Sequence, residues 1–166
     1  MADEAEIATG LKAAMRRMPA AVALITTLDP EGGEPAGLAA SAVIPVSMAP
    51  PSMLVAINRN ASAHSAIERS GRFCINLLST QQTALVTLFS STDMRAQRFA
   101  DEGWQTHDGL PFLPAACANI FCRVQTTLIH GTHELFIGNV EDVRTSVGDA
   151  PLGWLEGGFA ALGPLA

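Results

Sequence analysis

Charge is scarce in this chain. Only 16% of its 166 residues are Asp, Glu, Lys or Arg, and the balance is −6. An acidic surplus argues against non-specific binding to nucleic acid or to an anionic membrane surface. It still leaves room for a local basic site. Cysteine is scarce too. Cys74, Cys117 and Cys122 are an odd number set in apolar sequence, which reads as buried reduced thiols rather than a disulfide framework. No apolar run approaches the length of a membrane span. The opening MADEAEIATG carries acids where a secretory signal carries Lys or Arg. These features predict a cytoplasmic chain.

Several catalytic signatures are missing. No G-x-G-x-x-G follows a strand pattern, and no G-x-x-x-x-G-K-[ST] loop is present. A nicotinamide dinucleotide, if used, is not held by a Rossmann fingerprint. No G-x-S-x-G elbow occurs, and no Ser or Cys has an obvious His partner nearby. His130 and His133 flank a Gly-Thr turn, and no second Cys pair completes the C-x₄-C of Cys117 and Cys122. Two strand residues five apart point to opposite faces unless a bulge intervenes. No metal site is expected.

What remains is apolar and strand-rich. Hydrophobic residues make up 48%, enough for one substantial core, so residues 1–166 read as a single domain. So much apolar sequence in a modest chain also hints at a buried subunit interface. Ile7, Leu11, Met15 and Met18 recur at helical spacing up to Pro19. Thr9-Gly10 leaves the start of that helix open. Strands are predicted over 21–28, 52–57, 72–78, 116–129, 133–143 and 151–162. Helices are predicted over 80–89 and 94–99, with a turn-rich stretch from Asp101 to Pro114. Strands broken by short turns, with helices inserted, favour a mainly β fold: a barrel with helical excursions rather than a doubly wound parallel sheet.

The chain is organised around Gly37 to Ile67. Gly37, Ala39, Ala40, Ser41 and Ala42 form a strand of small side chains, which leaves room for something flat against the backbone. Pro45, Pro50 and Pro51 mark the connection to the next strand. That strand ends in Asn58-Arg59-Asn60-Ala61-Ser62. Ser62 is placed to cap a helix running through Ile67 and stopped by Gly71. A helix start beside a cation suits a phosphate. On these features alone, an ordinary strand-turn-helix explains the stretch equally well.

The order of residues in GLAASAVIPVSMAPPSMLVAINRNAS resembles the flavin reductase family, the reductase components of two-component flavin monooxygenases. SGRFCINLL, QRFA, LPFLPAACANIFCRVQ, HGTHELFIGNV and PLGWLEGGF follow in the family's order, so the likeness spans nearly the whole chain. Reductases serving hydroxyphenylacetate or pyrimidine-ring monooxygenases are most similar. The resemblance implies a split β-barrel of the FMN-binding type, usually a homodimer. It implies FMN or FAD as the flavin, NADH or NADPH as hydride donor, and a partner monooxygenase fed by diffusing reduced flavin. A flavin-binding electron carrier on the same barrel is the alternative.

By the same resemblance, Ala39, Ala40, Ser41 and Ala42 line the flavin ring and ribityl chain, with Val46 and Ser47 beside the ring. Asn58, Arg59 and Ser62 take the ribityl and phosphate end. His133 lies near the reacting rings, and Trp154 and Phe159 flank the nicotinamide pocket. The chain departs from the family in places. Many members have Thr where Ala39 stands, and some have Ser at Ala42. A basic residue often stands where Glu156 and Gly157 are found.

Overall fold

The computed structural model describes residues 3–165. The chain opens with helix α1, Glu4–Met15. Its start is set by Asp3, whose carboxylate accepts the Glu6 amide while the Glu6 carboxylate accepts the Asp3 amide. This reciprocal cap settles the open start upstream of Thr9-Gly10. The helix ends at Met15, four residues before Pro19, because Arg17 and Met18 already turn back onto Ala14 and Met15.

Twelve strands and two further helices follow. They are β1 (Ala20–Ala21), β2 (Ala23–Leu28), β3 (Pro35–Ala40), β4 (Val43–Met48) and β5 (Pro51–Asn58). Then come α2 (His64–Ser70), β6 (Arg72–Leu77), α3 (Thr83–Ser90), β7 (Gln105–His107) and β8 (Leu110–Phe112). Two long strands, β9 (Ala118–His130) and β10 (His133–Thr145), precede the short β11 (Leu152–Leu155) and β12 (Gly158–Ala161). The fold is mainly β with three α-helices.

Seven strands make one antiparallel sheet in the order β3-β2-β6-β9-β10-β5-β4. Its end strands, β3 and β4, are neighbours in sequence, joined only by Ser41 and Ala42. They do not pair with each other, so the sheet is not closed there. β1, β11 and β12 form a second small sheet, and β7 and β8 a hairpin.

Alternation sorts the core. Ile25, Val55, Ile57, Phe73, Ile75 and Phe136 pack with Ile67 of α2 on one face. Val22, Leu24, Leu78 and Leu152 pack with Phe89 of α3 on the other. Leu110, Phe112 and Phe121 gather with Cys74 under the β7–β8 hairpin. Among these apolar layers lies a fully partnered amide. Buried Asn76 donates to the Leu24 carbonyl and Thr26 Oγ1, and accepts from the Leu113 amide and Asn119 Nδ2. Both donors and both acceptor positions of the side chain are used, so the polar group adds order without an unpaired penalty.

Three local expectations are corrected. The proline-marked connection contains strand β4. Pro45 is tolerated because β4 is a sheet edge, and Val46 is an extra residue where the register with β5 shifts. Ser62 does not cap α2: the first cap position is Ala63, without a side-chain bond, and the Ser62 hydroxyl is taken by Arg98. The stretch 151–162 is a hairpin rather than one strand, turned by Glu156 and Gly157 at φ 55° and 83°. Two positive φ values in a two-residue loop match the twist of flanking strands. Gly71, by contrast, ends α2 as expected, in the left-handed conformation at φ 63°.

Cys74 and Cys122 are buried and Cys117 is partly buried; all three are free. Burial pushes the Cys122 thiol up to about 12 and raises Cys74 as well. Thiolate is the reactive form. Native protein at pH 8 should therefore leave Cys74 and Cys122 unmodified by a disulfide reagent. Rapid modification of all three, read by mass, would contradict this packing.

Candidate functional site

The site forms at the seam of the unclosed sheet. β3 ends there, Ser41 and Ala42 cross to β4, and the turn after β5 rises beside them. A groove of about 510 Å³ opens along this line, of a size usual for small-molecule sites. Its floor is Leu38, Ala39, Ala40, Ser41 and Ala42, and one side is Ala56 to Asn58. Asn60, Ala61 and Ser62 form an end wall, and His133 stands at the margin. His133 pairs in register with Asn58 across β10 and β5. Its Nδ1 lies 2.9 Å from Thr132 Oγ1, which leaves Nε2 free for other partners.

The small residues of β3 serve two purposes. Gly37 is small for the sake of the fold: a Cβ there would stand 2.8 Å from the Phe89 ring. Phe89, on α3, thereby lies across the strand and lines the groove. Ala40 packs toward the Ile25 and Val55 layer, and Ala39 toward the Phe89 layer. Ser41 and Ala42 are exposed on the groove floor.

Arg95 and Arg98 bring charge to the groove, and sequence reasoning did not single out either one. Arg98 is only 5% exposed. Its Nη1 donates to the Gly37 carbonyl at 2.8 Å and to Ser62 Oγ at 3.0 Å. Nη2 donates to the Ser91 carbonyl, and Nε reaches toward the Leu88 carbonyl at 3.4 Å. The guanidinium also lies 5.6 Å from the Phe89 ring centre. No carboxylate pairs with Arg98 or Arg95 among the described residues. Burial, and then the charge of Arg95, pull the Arg98 pKa down. A buried cation held by neutral oxygens beside a second cation favours an anion in the groove. The available signal was QRFA, which contains Arg98.

Not every expected residue reaches this groove. Arg59 lines an adjoining groove with Asn60, His64, Gly131 and Thr132. Val46 and Ser47 lie on edge strand β4, away from the lining. Trp154 borders a smaller hollow that shares Ala39, Ala40, Ser41 and Ser90 with the main groove. Phe159 packs edge-on against Trp154, with ring centres 5.3 Å apart. Cys117 and Cys122 do not share a site. Cys122 belongs to the core, and Cys117 Sγ faces the Leu78 and Asp149 carbonyls.

A small-residue floor closed by two arginines suits a flat, anionic ligand. The family model described as flavin reductase like domain matches residues 15–163, and the chain belongs to this family. Over 140 residues it is 40% identical to the NADH-dependent FMN reductase RutF of Agrobacterium fabrum, covering 84% of this chain and 79% of that protein. It is 35% identical over 159 residues to the reductase component of an FADH₂-dependent resorcinol hydroxylase from Rhizobium sp., covering 95% and 89%. Among solved structures it is similar to nitrilotriacetate monooxygenase component B from Mycobacterium thermoresistibile. The TM-score is 0.88 at 27% identity, over 98% of this chain and 90% of that one.

The floor's two halves should respond differently to bulk. Ala40→Leu forces three carbons into a packed layer and should cost about 1–3 kcal/mol. Ala42→Leu extends into open groove and should leave the melting temperature unchanged. Equal melting for the two variants would overturn this orientation of the floor.

Proposed function

We propose that this protein is an NADH- or NADPH-dependent flavin reductase that supplies reduced FMN or FAD to a partner monooxygenase. The observation that carries the reading is the seam groove: a floor of small residues, ended by a buried arginine without a counter-ion. When bound, the flavin supplies the hydride-accepting chemistry, and the nicotinamide supplies the hydride. The chain's own contribution is position. Ala39, Ala40, Ser41 and Ala42 let a planar ring lie close to backbone. Asn58 and Ser62 offer polar contacts along the ribityl chain. Arg95 holds the phosphate, and Arg98 fixes the walls around it. His133 borders the ring end. Trp154, with Phe159 behind it, lines the hollow on the same floor residues, where a nicotinamide would approach.

The seven-stranded sheet, beginning and ending in consecutive strands, is read as a split barrel of the FMN-binding type. The working unit is read as a homodimer. Ile44, Val46 and Met48 on β4 are exposed, as are Leu128 and Ile129 at the tip of β9. Helix α1 buries none of its residues and leaves Ile7, Leu11, Met15 and Met18 open. So much exposed apolar surface is characteristic of an obligate interface.

Steady-state oxidation of NADH and NADPH with FMN, FAD and riboflavin tests the activity. Turnover dependent on added flavin is expected, and its absence with every pair would overturn the reading. Arg95→Ala should weaken FMN binding about tenfold, as loss of a charged hydrogen bond does, with riboflavin nearly unaffected. Equal losses for both flavins would remove the phosphate from Arg95. Light scattering at micromolar concentration should give twice the chain mass; a monomer would contradict the dimer.

A further inference from the structure

The groove beside the seam carries features that a flavin mononucleotide does not use. It measures about 430 Å³ and is lined by Arg59, Asn60, His64, Gly131 and Thr132. Asn60 also lines the seam groove, so one residue forms the wall between the two. Arg59 is exposed, and no carboxylate pairs with it among the described residues. Its backbone is fixed, since the Arg59 amide donates to the Thr132 carbonyl at 3.0 Å.

His64 is the less expected member. It is 8% exposed, yet it lines the groove. Its Nε2 lies 2.7 Å from Glu134 Oε2, and Glu134 is itself buried. The ring also meets Phe136 edge-on, with centres 5.6 Å apart. A carboxylate acceptor places a proton on Nε2, so in the neutral ring Nδ1 is an acceptor. No side chain or backbone group among the described residues bonds Nδ1. Glu134 therefore orients a nearly buried imidazole whose remaining nitrogen has no protein partner.

A cation with no counter-ion and an oriented acceptor, one residue beyond a phosphate-binding groove, define a site for a nucleoside phosphate. We propose that this second groove seats the adenylate half of a dinucleotide. Arg59 faces its phosphate, and His64 Nδ1 accepts a ribose hydroxyl or the adenine amino group. Asn60 marks the crossing between the two halves. The inference rests on the flavin reading of the seam groove. Two sources share this chemistry: FAD, extending from the seam groove, and the nicotinamide dinucleotide.

The test compares wild-type protein with Arg59→Ala, an exposed change that leaves the core intact. FMN and FAD dissociation constants are measured by titration, and KM for NADH by turnover with FMN. Loss of one charged hydrogen bond corresponds to about tenfold. FAD weakened about tenfold, with FMN within about twofold, supports the site and assigns it to the flavin. NADH KM raised about tenfold, with both flavins unchanged, supports the site and assigns it to the nicotinamide dinucleotide. Equal weakening of FMN and FAD overturns the proposal, since Arg59 then serves the phosphate both flavins share. No change in any of the three also overturns it. His64→Gln, which keeps a donor for Glu134, should shift the same ligand as Arg59→Ala, and a shift in another ligand counts against the site. Failure of the flavin reading itself is distinct: wild-type protein would then bind neither flavin.

Discussion

One guanidinium holds the site together. Arg98 bonds the β3 backbone at Gly37, the turn hydroxyl of Ser62 and the carbonyl of Ser91 just beyond α3. These three segments are distant in sequence, and they are the floor, end wall and side of one groove. Lysine could not replace it, because a single ammonium does not reach acceptors spread in a plane. The charge also has to be balanced. Inside the fold it is met only by oxygen dipoles and the face of Phe89. An anionic ligand thus completes an arrangement that the protein leaves electrically open. Binding and local stability are coupled at this point.

The second constraint is steric. Phe89 can cross β3 only because Gly37 has no side chain. The same device recurs at Gly138, where a Cβ would stand 2.9 Å from both Phe73 and Cys122. In each case an aromatic ring covers a glycine in a strand and recovers the contact area that the glycine gives up. The small-residue stretch therefore divides its work. Gly37 serves packing, Ala39 and Ala40 face packed layers on either side, and Ser41 and Ala42 remain for a ligand.

Much of the fold was legible because it rests on local rules. Alternation found the strands of the main sheet, and Gly71 marked the end of α2. The order of short segments led to the family. The misses share a cause: each depends on a partner far away in the chain. Pro45 marks a connection in sequence, yet a sheet edge accepts it. Ser62 has the chemistry of a cap, but Arg98 claims its hydroxyl. Arg95 and Arg98 fall in an unremarkable polar stretch, and only the packing of α3 against β3 brings them to the groove. Arg59, the cation that sequence made prominent, stands on the far side of the Asn60 wall.

The kinked edge of β4 has a consequence for how copies of this chain meet. Exposed apolar strands invite neighbours to add on, backbone to backbone, without limit. Here Pro45 removes a donor, and the extra Val46 breaks the spacing of the remaining ones. Ile44 and Met48 on either side still offer apolar side chains to a partner. Adhesion by side chains is thereby separated from extension by hydrogen bonds. A surface can be sticky enough to assemble and yet unable to seed a growing sheet.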